Sequence, residues 1–412
     1  MNYRITAPQA INATIAVPAS KSISARALVI NALSSQPATL HGVAVCDDTH
    51  ALIQGLDANH GTIDVGAAGT AMRFLTAFHA AQPGHDVVLD GCDRMRQRPM
   101  QPLLEALRAL GAHIACTAND GHAPLHIVGS QLQGGQHIAL RGDVSSQFTS
   151  ALMMIAPLMG GLEIELTGEI VSAPYIDMTL AMMRHWGVNG HWHGNTISVP
   201  AGTYDATDLS IEADWSAASY WMALQALLPD SHISLTGLQP DSWQGDSRML
   251  TFMQQLGMRA LWNGDGTLTL DMSRTACCCC STFADLNGTP DLAPTLIAML
   301  CLLGRPFRLT GLRTLHHKES DRLEVLRSEL AKLGYLIQIE GQDAVTWHFQ
   351  TCEQQSSPRI DSHGDHRIAM AMALAATRHP GIVITQAQAV EKSYPQFWKH
   401  LQLAGFTITQ ES

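Results

Sequence analysis

Four stretches of the chain repeat one sequence of hydrophobic patterns. In LLEALRALGAHIACTANDGHAPLHIV (103–128), leucines spaced three and four apart run up to a glycine. Alternating apolar and polar positions follow, on either side of a polar turn. LAMMRHWGVNGHWHGNTISV (180–199), LTFMQQLGMRALWNGDGTLTL (250–270) and LEVLRSELAKLGYLIQIEGQDAVTWHF (323–349) follow the same plan. FWKHLQLAGFTI (397–408) supplies the helix, the stop and one strand. The 3–4 spacing predicts a helix, the glycine suits a left-handed C-terminal cap, and the alternation around NGDG and EGQD predicts a hairpin. The stops Gly111, Gly187, Gly257, Gly334 and Gly405 recur about every 70–77 residues. A weaker LDANHG, ending at Gly61, is expected to mark a further copy. About six such α+β units would fill the chain and pack into two similar domains.

Composition narrows the function classes. The 412 residues are long enough for two cores, and 46% are hydrophobic, as in ordinary globular proteins. No uninterrupted apolar run reaches about 18 residues, and MNYRITAPQA has no signal-like hydrophobic region, so no membrane partner and a cytoplasmic location are expected. A net charge of −11 argues against nucleic acid as a partner. The run Cys277–Cys280 cannot converge on one tetrahedral metal, and HWH (191–193) and HH (316–317) lack metal-type spacing. No metal and no cofactor are expected.

Short polar motifs interrupt the apolar segments at helix starts. ASKSISARALVI (19–30) sets Lys21, Ser22 and Arg26 at the mouth of an apolar helix, where unpaired N–H groups favour an anion. GAAGTAMRFL (66–75) places Gly69 before a helix with Arg73 one turn inside. In DRMRQRPM (93–100), Arg94, Arg96 and Arg98 would point to one side if the segment is extended, as Pro99 favours. GDVSSQFTSALMM (142–154) offers Ser145, Ser146 and Gln147, and SAPYIDMTL (172–180) offers Ser172 and Tyr175. HHKESDRLEVLRSEL (316–330) brings Lys318, Glu319 and Arg322 to a helix start, where cations are unfavourable unless they face an anion. GDHRIAMAMALAA (364–376) adds Asp365, His366 and Arg367, and VEKSYPQFW (390–398) adds Lys392. Together these predict small-molecule partners bearing several phosphate and carboxylate groups, neutralised by arginine forks and lysines.

In their order and wording these motifs resemble the 5-enolpyruvylshikimate-3-phosphate (EPSP) synthase family over residues 18–395. SKSISAR, AGTAMR, RPM, SSQF, PYIDMT, PDLAPT, KESDR, DHRIAMA and KSYP carry the resemblance. It implies an α/β fold of two similar domains, each made from three βαβαββ-type units, with the active site in the cleft between them. The domains would be 1–19 with 213–412, and 20–212. The implied reaction joins the enolpyruvyl group of phosphoenolpyruvate to the 5-hydroxyl of shikimate 3-phosphate and releases phosphate. By the same resemblance Asp291 is the base, Glu319 the acid, and Lys21 polarises both substrates. Shikimate 3-phosphate would meet Lys21, Ser22, Arg26, Ser145, Ser146, Ser172, Tyr175, Asp291 and Lys318, with Arg26 on its carboxylate. Phosphoenolpyruvate would meet Lys21, Gly69, Arg98, Gln147, Arg322, Arg367 and Lys392. The chain is expected to act as a monomer.

The chain departs from the family pattern at five positions. Ala67 and Ala25 replace asparagines, Phe74 a proline, Thr314 an asparagine and Ala173 a lysine. Loss of the asparagine at Ala67 removes a phosphate hydrogen bond of about 1–3 kcal/mol. Two alternatives stand beside the main reading. One is the sister transferase acting on UDP-N-acetylglucosamine, for which Cys92 beside the arginine-rich segment is suggestive. The other is an inactive paralogue that binds sugar phosphates.

Overall fold

The computed structural model describes residues 1–272 and 281–411, so the Cys277–Cys280 run lies outside the described residues. The chain divides into two compact units, 1–19 with 212–412, and 20–211, which assigns Glu212 to the first. Among the described residues are five four-stranded sheets with one pattern of strand directions: a parallel pair followed by two antiparallel neighbours. In one of them His60–Asp64 runs parallel to Asp86–Asp90, Asp86–Asp90 is antiparallel to Leu125–Val128, and His113–Cys116 completes the hairpin. A parallel pair requires a crossover, and the Gly69–Ala80 helix provides it. The hairpin follows a second helix, Gln101–Ala109.

The two helices of each repeat copy differ in burial, for a reason visible in their sequences. Crossover helices such as Ser146–Ile155 and Ala293–Leu302 are apolar on nearly every face and almost wholly buried. The second helices are amphipathic and end at glycines with φ of 92° (Gly111), 87° (Gly187), 95° (Gly257), 95° (Gly334) and 93° (Gly405). That left-handed backbone explains why glycine recurs at the stop.

Two copies are modified. The sheet holding Arg359–Asp361, Ile382–Thr385 and Thr407–Glu411 is completed by the chain's first strand, Asn2–Thr6, with Ile5 opposite both Ile382 and Ile408. That is why the last sequence repeat lacks its final strand. The sixth copy is reduced: Leu40–His41 pairs in parallel with Leu209–Ser210 around the helices Lys21–Leu33 and Asp47–Asp57. The expectation for LDANHG is corrected here. The helix ends at Asp57, its C-cap Ala58 is extended, and Gly61 lies inside the His60–Asp64 strand. That strand runs parallel to Asp86–Asp90 in the next sheet, so no hairpin follows this helix.

The repeat also organises the polar motifs. The first helix of five copies opens on one of them, at Lys21, Gly69, Ser146, Ala293 and His366, and that of the remaining copy opens at Trp215 behind its cap Asp214. Each unit therefore carries three such helix starts.

Candidate functional site

In the unit of residues 1–19 and 212–412, carboxylates and cations alternate in a partly buried network. Asp291 sits in a single 3-10 turn, Pro290–Leu292, just ahead of the buried Ala293–Leu302 helix. Lys318 and Glu319 lie in the short link before the Arg322–Lys332 helix, and Asp365 caps the His366–Ala373 helix by accepting the Arg367 N–H at 2.9 Å. Arg322, 1% exposed, divides its guanidinium among three carboxylates. Nε donates to Asp365, Nη1 to Asp291 and Nη2 to Glu319, each at 2.8 Å. Ser320 adds a hydrogen bond to Asp365 at 3.1 Å. Arg367 Nη2 lies 3.1 Å from the second Asp291 oxygen, Lys318 Nζ 3.3 Å from the first, and Lys392 Nζ 2.6 Å from Glu319.

Four cations thus face three carboxylates. Burial alone would push the Asp291 carboxyl up, but Arg367, Lys318 and Arg322 outweigh it and hold it well below the usual range. Lys318 moves down, because burial outweighs its attraction to Asp291. Arg322 is also opposed by burial, yet Asp365, Glu319 and Asp291 raise it. A buried array of this kind is costly to break, since removing one member strands the others.

A neighbouring acid was not foreseen from sequence. Asp246, 3% exposed, takes a short hydrogen bond from the Ser216 hydroxyl, and that hydroxyl also accepts from Arg367 Nη2 at 3.3 Å. Burial pushes Asp246 up to about 6 against the pull of Arg367. Its signal was available in the repeat itself: Asp214 caps the Trp215–Leu227 helix, placing DWS where the other copies carry their motifs.

The unit of residues 20–211 holds the remaining predicted residues. Ser20 caps the Lys21–Leu33 helix, and Lys21 at its first position bonds Asp48 at 2.9 Å. Arg26, 2% exposed, is reached from three helices. Its Nε donates to Thr179 Oγ1 at 2.7 Å, Nη1 to the Ser22 carbonyl at 3.1 Å, and Nη2 to Ser150 Oγ at 3.0 Å and the Tyr175 carbonyl at 3.3 Å. No carboxylate among the described residues pairs with Arg26. Burial lowers it to about 10. Ser150 and Thr179 were missed, although each lies four residues, one helical turn, beyond a predicted residue, Ser146 and Tyr175. Ser145 caps its helix by accepting the Gln147 N–H at 3.2 Å, Ser146 is buried behind it, and Ser172 stands at the start of the Ala173–His185 helix with φ of 55° and no capping bond from its side chain.

Gly69, Arg98 and Gln147 come together around the start of the Gly69–Ala80 helix. Gln147 Nε2 donates to Thr70 Oγ1 at 3.1 Å, and a Cβ on Gly69 would stand 2.5 Å from Arg98 Nη1 and 2.9 Å from Arg73 Nη1. The arginine-rich segment differs from expectation. Asp93–Gln97 is a short helix, so Arg94 and Arg96 do not line up with Arg98. Arg96 turns to Asp90 at 2.6 Å, and only Arg98 is buried. Pro99 still acts as expected on its neighbour, leaving Arg98 extended (φ −78°, ψ 133°). Of the departures from the family pattern, Thr314 is buried with its hydroxyl unpartnered. No group of three metal-ligating side chains occurs among the described residues, and no described helix is long and apolar enough to cross a membrane.

The family model described as EPSP synthase (3-phosphoshikimate 1-carboxyvinyltransferase) matches residues 5–58 and 53–401. A protein of Bacteroides fragilis named 3-phosphoshikimate 1-carboxyvinyltransferase is 45% identical over 410 residues, 99% of each chain. One of that name from Syntrophobacter fumaroxidans is 37% identical, covering 94% of this chain and 96% of its own. The solved EPSP synthase of Acinetobacter baumannii shares the fold with a TM-score of 0.77 at 23% identity, over 99% of this chain and 100% of its own.

Proposed function

The chain belongs to the EPSP synthase family, and from that premise we propose how its residues divide the work of the reaction. The chain transfers the enolpyruvyl group of phosphoenolpyruvate to the 5-hydroxyl of shikimate 3-phosphate and releases phosphate. This is a transferase step of the shikimate pathway to aromatic amino acids. It needs a base at the hydroxyl, an acid at the methylene carbon, and cations around the tetrahedral intermediate.

The observation that carries the assignment is the division of Arg322 between Asp291 and Glu319, at 2.8 Å each. Asp291 is the base and Glu319 the acid. Arg322, Arg367 and Lys392 receive phosphoenolpyruvate, as do Lys21, Gly69, Arg98 and Gln147. Asp291 and Glu319 hold Arg322, Arg367 and Lys392, so an incoming phosphate or carboxylate competes for these three cations. Drawing Arg322 and Arg367 toward that anion relieves Asp291 of positive charge and strengthens it as a base. Shikimate 3-phosphate is received by Lys21, Ser22, Arg26, Ser145, Ser146, Ser172 and Tyr175, with Lys318 and Asp291 near the hydroxyl that reacts. Arg26, a buried cation with no carboxylate partner, takes the substrate carboxylate; the serines at the helix mouths take the phosphate. The protein works in the cytoplasm as a monomer.

The test is phosphate release from phosphoenolpyruvate by the purified protein, with shikimate 3-phosphate or UDP-N-acetylglucosamine as co-substrate. Release only with shikimate 3-phosphate is expected. Release only with the nucleotide sugar, or with neither, would overturn the assignment.

A further inference from the structure

Arg26 is charged, buried and without a carboxylate, yet its guanidinium does not stand among neutral acceptors alone. Its central carbon lies 5.5 Å from the centroid of the Phe74 ring and 5.8 Å from that of Tyr175. Phe74 is completely buried on the Gly69–Ala80 helix, which packs against both the Lys21–Leu33 and Ser146–Ile155 helices. The hydroxyls of Ser150 and Thr179 bond each other at 2.8 Å, so the acceptors around Nε and Nη2 are themselves tied in place. Of the five guanidinium N–H groups, four are used on Thr179, Ser22, Ser150 and Tyr175. One, on Nη1, remains for a ligand.

We propose that Phe74 is a positioning residue for shikimate 3-phosphate: with Tyr175 it supplies the aromatic faces that hold Arg26 as a cation and aim its remaining Nη1 donor at the substrate carboxylate. The electron-rich face of a ring attracts a guanidinium most strongly when water is excluded, as it is here. A carboxylate at Arg26 would separate the charge from the substrate; an aromatic wall holds the cation without neutralising it. The contact to the substrate is then a single end-on hydrogen bond, because the other donors of the fork are already committed. Tyr175 belongs to a motif recognised from sequence, whereas Phe74 stands at a position where the family pattern has proline.

The inference rests on the reading of Arg26 as the carboxylate ligand, and the experiment separates the two. Binding of shikimate 3-phosphate alone is measured by calorimetry for the wild type, R26Q, F74L and proteins carrying mono- and difluorinated phenylalanine at position 74. Fluorination weakens the negative face of the ring while nearly preserving its volume, so it tests the interaction without disturbing the fold. The expected result is a Kd that rises stepwise with fluorine content, to about fivefold, and by about tenfold in F74L. The KM for phosphoenolpyruvate at saturating shikimate 3-phosphate should stay within twofold in F74L and across the fluorinated series. Loss of binding in R26Q with an unchanged Kd across the fluorinated series would overturn the role of Phe74 alone. Unchanged binding in R26Q would overturn the reading of Arg26 and the inference with it. A rise in the phosphoenolpyruvate KM equal to that in the Kd would show Phe74 to be a general packing residue.

Discussion

Arg322 Nη1 and Asp291 Oδ1 are 2.8 Å apart, so the proposed base is held by a cation that also serves the proposed acid and the helix cap Asp365. With Arg322 1% exposed, the three carboxylates around it have little access to water as a substitute. Its removal should therefore cost stability as well as activity. R322A is expected to be less stable by about 3–5 kcal/mol, the usual penalty for stranding buried charges. R322K keeps the charge but has no planar fork and cannot serve three carboxylates, so it should recover part of the stability and little of the turnover. Urea denaturation of both variants, alongside steady-state kinetics, checks this; equal stability of R322A and wild type would contradict it.

Asp291 separates chemistry from binding. D291N keeps the shape and removes the base, so kcat should fall by about 10²–10⁴-fold. The same change removes a competitor for Arg367, Lys318 and Arg322, the groups that keep this carboxyl ionised. Phosphoenolpyruvate should accordingly bind D291N, in the presence of shikimate 3-phosphate, at least as tightly as the wild type. Calorimetry and single-turnover kinetics test the two halves independently. Weaker binding with unchanged turnover would make Asp291 a ligand and not a base.

Much of this arrangement was legible because it is local. The helix stops could be read from leucine spacing and a following glycine, since φ near 90° at positions such as Gly257 is a requirement that sequence displays. Lys318, Glu319 and Arg322 could be grouped because they occupy adjacent turns. What sequence did not display are relations over long separations. Arg26 finds Ser150 and Thr179 after 124 and 153 residues, and Asn2–Thr6 completes a sheet with strands from the far end of the chain. Arg94 and Arg96 were misplaced because the effect of Pro99 reaches only Arg98, while Asp93 and the residues after it were free to coil. Asp246 and Ser216 were missed because the motif before Trp215 carries no cation.

Gly69 has a role that follows from space. A methyl group there would meet Arg98 Nη1 at 2.5 Å and Arg73 Nη1 at 2.9 Å, and both arginines are buried with little room to retreat. G69A should displace Arg98 from its position, lowering kcat/KM for phosphoenolpyruvate by about ten- to a hundredfold, the scale on which ångström misplacements act. The Kd for shikimate 3-phosphate, whose proposed ligands lie elsewhere, should be unaffected. Initial-rate kinetics with each substrate varied in turn check this. A loss confined to shikimate 3-phosphate would place the effect of Gly69 on the wrong substrate.

Asp246 ties stability to pH in a direction opposite to that of Asp291. Burial raises its carboxyl from an ordinary value near 3.8 to about 6, against the opposing pull of Arg367 and with Asp291 and Asp214 adding to the rise. The folded protein therefore binds this proton more tightly than the unfolded chain. The associated stability is fully present below pH 3.8 and is lost progressively as the pH rises through 6. A shift of this size corresponds to about 3 kcal/mol as an upper figure. D246N removes the titration while its amide oxygen can still accept the Ser216 hydroxyl. The stability of the wild type minus that of D246N should thus fall by up to about 3 kcal/mol between pH 4 and pH 8. Urea denaturation of both proteins across that range measures it. Because Ser216 also accepts from Arg367 Nη2, ionisation of Asp246 draws Ser216 and Arg367 closer. The KM of D246N for phosphoenolpyruvate should therefore lose any inflection near pH 6 that the wild type shows. A pH-independent difference in stability between the two proteins would mean that Asp246 stays ionised across the range, with Arg367 outweighing its burial.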